Sequence, residues 1–244
     1  MKVTVVTVCL NAEKTIQKTI ESVLNQNYQD IEYIIMDGQS RDGTIDIIKR
    51  YQGDLRIKLI SEKDTGLYNA MNKATQISSG RYICFLNSGD CFCDNSVITD
   101  IVPFLDADIV YGNVIRSFQN QKVRETYAGK YKLMRMLMMG KMMSHQSIFT
   151  KTNIMQKYRF DEQFRICADF DFIVRAKKNK CSMKYIDRDI CIVDNIEGIS
   201  SQKENYNLMR FEDDKSLKKN MPFWYVIIYL PKNIYRYIRD RLSK

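Results

Sequence analysis

Apolar residues in the first part of the chain come as short unbroken runs, each followed by a stretch in which they recur at helical spacing. Val3–Cys9 is β-branched and continuous, the pattern of a strand buried on both faces. Across residues 12–26, Ile16, Ile20, Val23 and Leu24 share one helical face. Residues 32–36 predict a second buried strand, 44–51 a short helix, 57–60 a strand, 67–77 a helix and 82–86 a strand. This β-α-β-α-β-α-β order implies a mostly parallel sheet with helices on both faces. Such sheets bind ligands beyond the carboxyl ends of their strands, where Asn11, Asp37 and Asp90 fall.

After about residue 105 the pattern changes. Residues 108–111, 114–118 and 123–127 predict short strands of a smaller unit, for which antiparallel pairing is the expectation. Residues 133–143 are rich in Met with interspersed Lys and Arg. Residues 169–179 predict a helix with Phe170, Phe172, Ile173 and Ala176 on its apolar side, followed by two short strands at 183–186 and 190–193. From Gln202 onward the chain is basic and aromatic, interrupted by Pro222 and Pro231.

Composition narrows the setting. The 244 residues are 45% hydrophobic and 27% charged, the balance of a globular protein able to bury a large core. A net charge of +9 calls for a polyanionic partner: nucleic acid, an acidic membrane surface or a phosphorylated substrate. Seven cysteines without a C-x-x-C pair are expected to be reduced thiols in a cytosolic protein, and a single histidine excludes a His-rich zinc site. The apolar run at the N-terminus is too short for a leader, and no segment reaches the roughly 18–20 apolar residues of a membrane span.

Three strand ends carry acidic loops. Asp37-Gly38-Gln39-Ser40-Arg41-Asp42-Gly43-Thr44 follows one strand, Asp64-Thr65-Gly66 precedes a helix, and Asn87-Ser88-Gly89-Asp90 follows another strand. Each loop alone is a common strand-to-helix turn with a capping residue. A carboxylate such as Asp90 at a strand end can also hold Mg²⁺ or Mn²⁺ against a diphosphate, because hard cations take oxygen ligands and keep positions open for phosphate. Neither G-x-x-x-x-G-K-[ST] nor G-x-G-x-x-G occurs.

The ordered set Val6-Thr7-Val8 with Asn11, then Asp37-Gly38-x-Ser40-x-Asp42-Gly43-Thr44, Asp64-x-Gly66-x-Tyr68-x-Ala70-x-Asn72-Lys73 and Gly80-Arg81-Tyr82-x-x-Phe85-Leu86-Asn87-x-x-Asp90 resembles the family 2 glycosyltransferases. The likeness covers roughly residues 1–200 and is densest before residue 95. It implies an α/β GT-A fold, a Rossmann-like mixed sheet flanked by helices, and inverting transfer dependent on Mg²⁺ or Mn²⁺. Residues 1–200 would form that domain, with a nucleotide-binding half at 1–105 and an acceptor half at 106–200, and 201–244 a basic, aromatic helical extension.

The same resemblance implies residue roles. Thr7, Val8 and Asn11 would lie beside the nucleotide, Asp37 would bond the base, Asp64 would stand near the ribose or diphosphate, and Asp90 would ligate the metal. The family's Asp-x-Asp reads Ser88-Gly89-Asp90 here, leaving the ribose contact to Ser88. Inversion needs one general base to deprotonate the acceptor hydroxyl. Asp169 in Ala168-Asp169-Phe170-Asp171 fits that role, with Asp171 as the alternative and a helix-dipole carboxylate as the structural reading. His145-Gln146 falls where relatives carry an acceptor-side or phosphate-side motif, and Glu197-Gly198-Ile199-Ser200-Ser201 resembles a late loop closing over the donor.

The expected activity is therefore sugar transfer from a nucleotide diphosphate sugar, taken as a UDP-sugar, to a glycan or polyprenyl-diphosphate acceptor in surface polysaccharide synthesis. The aromatic and cationic tail suggests contact with anionic lipid at the inner face of the cell membrane. No nucleic-acid motif accompanies the charge. Two other readings are a sugar-nucleotide nucleotidyltransferase and a non-catalytic protein of the same fold. The first is disfavoured because Cys9-Leu10-Asn11-Ala12-Glu13-Lys14 lacks glycine.

Overall fold

The computed structural model describes residues 1–119, 121–127, 143–194, 202–231 and 234. Strands β1 (Val3–Cys9), β2 (Ile31–Asp37), β3 (Ile57–Ser61) and β4 (Tyr82–Phe85) alternate with helices α1 (Ile16–Leu24), α2 (Thr44–Lys49) and α3 (Leu67–Ile77). These four strands are parallel, in the order β3-β2-β1-β4. Every residue of β1 is buried, as its continuous β-branched run predicts for a strand covered on both faces. Register pairs Cys9 with Asp37 and Asp37 with Ser61, so β1, β2 and β3 end level along one edge. Each of the acidic loops leaves from that edge.

The second half of the chain does not form a smaller unit of its own. β5 (Cys91–Phe92), β6 (Ile109–Ser117), β7 (Lys122–Glu125), β8 (Ile148–Lys151) and β9 (Met183–Asp194) extend the same sheet to nine strands. β8 lies antiparallel between β4 and β6, whereas β6 and β9 run parallel. The gaps expected at 112–113 and 187–189 are irregularities inside two long strands: pairing slips between Tyr111 and Val114 on β6. Gly112 makes this approach possible, since a Cβ there would stand 2.5 Å from the Arg188 carbonyl oxygen. Buried Asn113 fastens the slip, donating to Asp187 and accepting from the Tyr185 hydroxyl.

Four longer helices follow, α4 (Val97–Ile101), α5 (Thr152–Tyr158), α6 (Ala168–Lys178) and α7 (Tyr206–Asn220), and a short helical stretch at Pro222–Trp224 runs on into a wider turn at Tyr225–Tyr229. The apolar side expected of α6 extends around most of its circumference, because α7 packs over the remaining face and buries Asp171 and Val174 as well. α7 has little apolar patterning, and the side chains it buries there include Glu212, Asp213, Ser216 and Asn220. Polar contacts hold it in place. The Met-rich stretch before Met143 and the segment 195–201 lie outside the described residues. All seven cysteines are free thiols.

Candidate active site

The loop after β1 and the loop after β2 are tied together residue by residue. Asn11 adopts a left-handed backbone, φ +50°, which asparagine tolerates. Its N–H donates to Ser40 Oγ and its Oδ1 accepts the Arg41 N–H. Asp37 is 1% exposed, and its carboxylate accepts the Ser40 N–H and hydroxyl and the Ser61 hydroxyl. It therefore builds the loop from inside, and the surface beside it is presented by Leu10, Asn11 and Gly38. Asp64 lies against Gly38, where an added Cβ would fall 2.7 Å from Asp64 Oδ2. Asp64 Oδ1 accepts the Gly66 N–H.

The side chains of Thr7 and Val8, expected beside the nucleotide, are buried in the sheet. The Thr7 hydroxyl is buried, donating to the Leu86 carbonyl oxygen at 2.8 Å and paired with the Tyr33 hydroxyl at 2.9 Å. Val8 belongs to the core. Strand alternation and two-sided burial put both side chains in the interior of the sheet. The Ser88 hydroxyl, given the ribose contact in place of the family's first carboxylate, pairs with the Thr15 hydroxyl at 3.0 Å.

A short turn at His145–Ser147 connects the acidic loop after β4 with the N-terminus of α6. Gln146 Nε2 donates to Asp90 Oδ2 at 2.8 Å, and the Ser144 hydroxyl fixes that amide by donating to Gln146 Oε1. Asp90 Oδ1 accepts the Asp194 N–H at the end of β9. Its donors are neutral, and burial pushes the carboxyl up to about 6 against these hydrogen bonds and the nearby His145. The adjacent residue, His145, places Nδ1 2.8 Å from Asp169 Oδ2. Asp169 Oδ1 is 3.1 Å from the Tyr68 hydroxyl, which also reaches the Ile166 carbonyl oxygen. Burial first, then the Asp169 charge, raises the Tyr68 hydroxyl far above its ordinary value and keeps it a donor.

Asp171 has no access to such a site. It is fully buried, paired with Arg175 at 2.5 Å and bonded by Ser216 and Asn220 of α7. Two residues along a helix turn a side chain to the opposite face, so Asp169 stays partly exposed beside His145 while Asp171 anchors α6 to α7. Glu212 of α7, which sequence reasoning gave no role, accepts the backbone N–H groups of Arg165, Ile166 and Cys167. It holds the chain entering α6 just ahead of Asp169. Its only sequence signal is the acidic run Glu212-Asp213-Asp214 within a basic tail.

The donor set suits a cation shared with a ligand rather than a metal caged by protein. Among the described residues no three His, Cys, Asp or Glu side chains converge to hold a metal ion. Asp90 is a buried carboxylate with only neutral hydrogen-bond donors, so a cation is the partner that would stabilise its charge. One carboxylate, with diphosphate oxygens and water completing the shell, is an ordinary way of holding Mg²⁺.

A parallel α/β half, acidic strand ends and two carboxylates bridged by one turn define a sugar-nucleotide enzyme of the GT-A type. The chain belongs to glycosyl transferase family 2, whose family model matches residues 4–165, and it is a glycosyltransferase. It is similar to an Escherichia coli enzyme, the UDP-Glc:alpha-D-GlcNAc-diphosphoundecaprenol beta-1,3-glucosyltransferase WfaP, at 35% identity over 109 residues, covering 45% of this chain and 43% of WfaP. In fold it is similar to residues 1–349 of TarS from S. aureus solved with UDP-GlcNAc (TM-score 0.73, 19% identity, 91% of this chain and 68% of that 1–349 chain). A second solved neighbour is the mannosyltransferase PcManGT from Pyrobaculum calidifontis in complex with GDP-Man and Mn²⁺ (TM-score 0.65, 15% identity, 96% of this chain, 64% of PcManGT).

Proposed function

We propose that this glycosyltransferase moves a sugar, with inversion, from a UDP-sugar to a hydroxyl of a glycan carried on a polyprenyl diphosphate. The observation that carries the reading is the turn at His145–Gln146. It joins Asp90, beyond β4, to Asp169, at the start of α6, although neither lies near the other in sequence. Asp90 would hold a divalent cation, Mg²⁺ or Mn²⁺, which when bound offsets the charge developing on the leaving diphosphate. Asp169 is the general base: it accepts the acceptor hydroxyl proton as that oxygen attacks the anomeric carbon opposite the diphosphate. Asn11 and Asp64 line the nucleotide side, Asp37 supports it through Ser40, and Ser88 takes the position nearest the ribose. The UDP-GlcNAc bound by TarS and the lipid-diphosphate acceptor in WfaP's name support donor and acceptor class, and the Mn²⁺ of PcManGT supports the metal.

Residues 1–200 serve as the catalytic domain, and α7 belongs with it. Beyond Pro222 the side chains of Phe223, Trp224, Val226, Ile227 and Ile234 are exposed, an apolar surface on a chain of net charge +9. Such a surface suits shallow contact with anionic lipid at the inner membrane face, where a lipid-linked acceptor would reside. No helix among the described residues is long and apolar enough to cross a membrane. The test is a panel of nucleotide sugars with Mn²⁺, scored by thermal shift and hydrolysis, followed by calorimetry of UDP binding to Asp90→Ala. Loss of Mn²⁺-dependent UDP binding is expected; wild-type affinity would remove Asp90 from the metal. A protein that binds no nucleotide sugar would overturn the whole reading.

A further inference from the structure

Asp169 is part of a longer hydrogen-bonded array. His145 Nδ1 is 2.8 Å from Asp169 Oδ2, and on the far side of the ring His145 Nε2 is 2.9 Å from Asn87 Nδ2. An amide NH₂ can only donate, so Nε2 must accept and the ring proton must sit on Nδ1. Nδ1–H then donates to the Asp169 carboxylate. The imidazole is 15% exposed and Asp169 18%, so water competes little for these bonds. Asn87 also contains the only buried side-chain nitrogen or oxygen among the described residues that lacks a partner, its Oδ1. A half-turn of the amide would bring that oxygen to Nε2, matching a ring that carries both protons. In either charge state of His145 the Nδ1–H remains on Asp169. The titratable groups around the ring are Asp169 from α6, Asp90 from the loop after β4, and Tyr68 of α3 acting through Asp169.

We propose that His145 is a positioning residue for the base, and that Asn87 sets its tautomer. The array reverses the usual division of labour between carboxylate and imidazole. Here the carboxylate takes the proton, and the imidazole N–H holds one of its oxygens, leaving the remaining lone pairs for the acceptor hydroxyl. Tyr68 and the Phe170 N–H restrain the other oxygen, Oδ1, at 3.1 and 2.8 Å. Bond-making is simple: the acceptor O–H breaks, its proton passes to Asp169, and the electron pair left on oxygen forms the glycosidic bond as the diphosphate departs. His145 neither gains nor loses a proton in that step. This inference rests on Asp169 being the base.

The experiment follows UDP release from a UDP-sugar with Mn²⁺ for Asp169→Asn, His145→Ala, His145→Gln and His145→Asn, with UDP binding and thermal melting measured on each. An asparagine amide nitrogen falls close to Nδ1, whereas a glutamine amide reaches the Nε2 position. His145→Ala and His145→Gln are expected to lose kcat by about 10–100-fold with donor KM unchanged, the range for one hydrogen bond to a charged group. His145→Asn should recover at least a third of the wild-type kcat. An inactive Asp169→Asn beside fully active His145→Ala and His145→Gln would overturn the positioning role and leave the base in place. His145→Asn as impaired as His145→Ala, with equal melting, would equally overturn it. A fully active Asp169→Asn would instead sink the reading of Asp169 as base.

Discussion

Glu212 offers the sharpest test of how the C-terminal helix supports the site. Its two carboxylate oxygens accept three backbone N–H groups, from Arg165 at 2.7 Å, Ile166 at 2.9 Å and Cys167 at 2.8 Å. A hydrogen bond to a charged group contributes about 1.5–3 kcal/mol. Three would suggest at least about 4.5 kcal/mol, but they are not equally exposed to loss. Arg165 is exposed and its N–H can return to water, while Cys167 is buried and its N–H cannot. Glu212→Ala should therefore destabilise the protein by about 3–4 kcal/mol, lowering the melting temperature by about 6–16 °C at 2–4 °C per kcal/mol. Because the released segment leads directly into Asp169, kcat in the surviving folded fraction should fall more than donor KM rises. Urea and thermal unfolding at one pH, with steady-state kinetics below the transition, measure both effects. A melting shift under about 2 °C would show that these three bonds do not fasten the entry to α6.

Burial, then the charges of Asp169, Glu212 and Asp214, raise the Asp213 carboxyl to about 7, against a hydrogen bond from Cys167. A folded value above the unfolded 3.8 means that the protonated form favours folding. That contribution is fully present below about pH 4 and is lost as pH rises through about 7. At about 1.4 kcal/mol per tenfold the ceiling is about 4 kcal/mol. Asp213→Asn should match wild type near pH 4 and exceed it near pH 8; parallel stability curves would refute this. Gly38→Ala must displace the Asp64 carboxylate, which would lie 2.7 Å from the new Cβ. Donor KM should rise about 10-fold with little change in melting temperature, and an unchanged KM would detach Asp64 from the nucleotide. Removing residues 222–244 should release the protein from anionic liposomes in a flotation assay while UDP binding persists; equal flotation would exclude that surface as the lipid contact.

The unbroken run Val3–Cys9 and the helical spacing over 67–77 were enough to place β1 and α3, because burial on both sides of a strand and along a helix leaves a local periodic trace. The carboxylates at 37, 64 and 90 were visible for the same reason: they follow or precede elements whose ends the pattern marks. Sequence alone thus determined the parallel half, the edge from which the acidic loops leave, and the family. It did not show that the strands predicted at 108–111 and 114–118 are one strand, since Gly112 permits a slip whose partner lies on β9, far along the chain. Nor could it separate Asp169 from Asp171. Both are acidic residues in the first turn of one helix, and only the packing of α7 buries the second and leaves the first beside His145. That the side chains of Thr7 and Asp37 turn inward was likewise decided by strand neighbours. Periodicity reports which face is buried, whereas the partner that covers a face, and hence the role of a polar residue on it, is decided by contacts between distant parts of the chain.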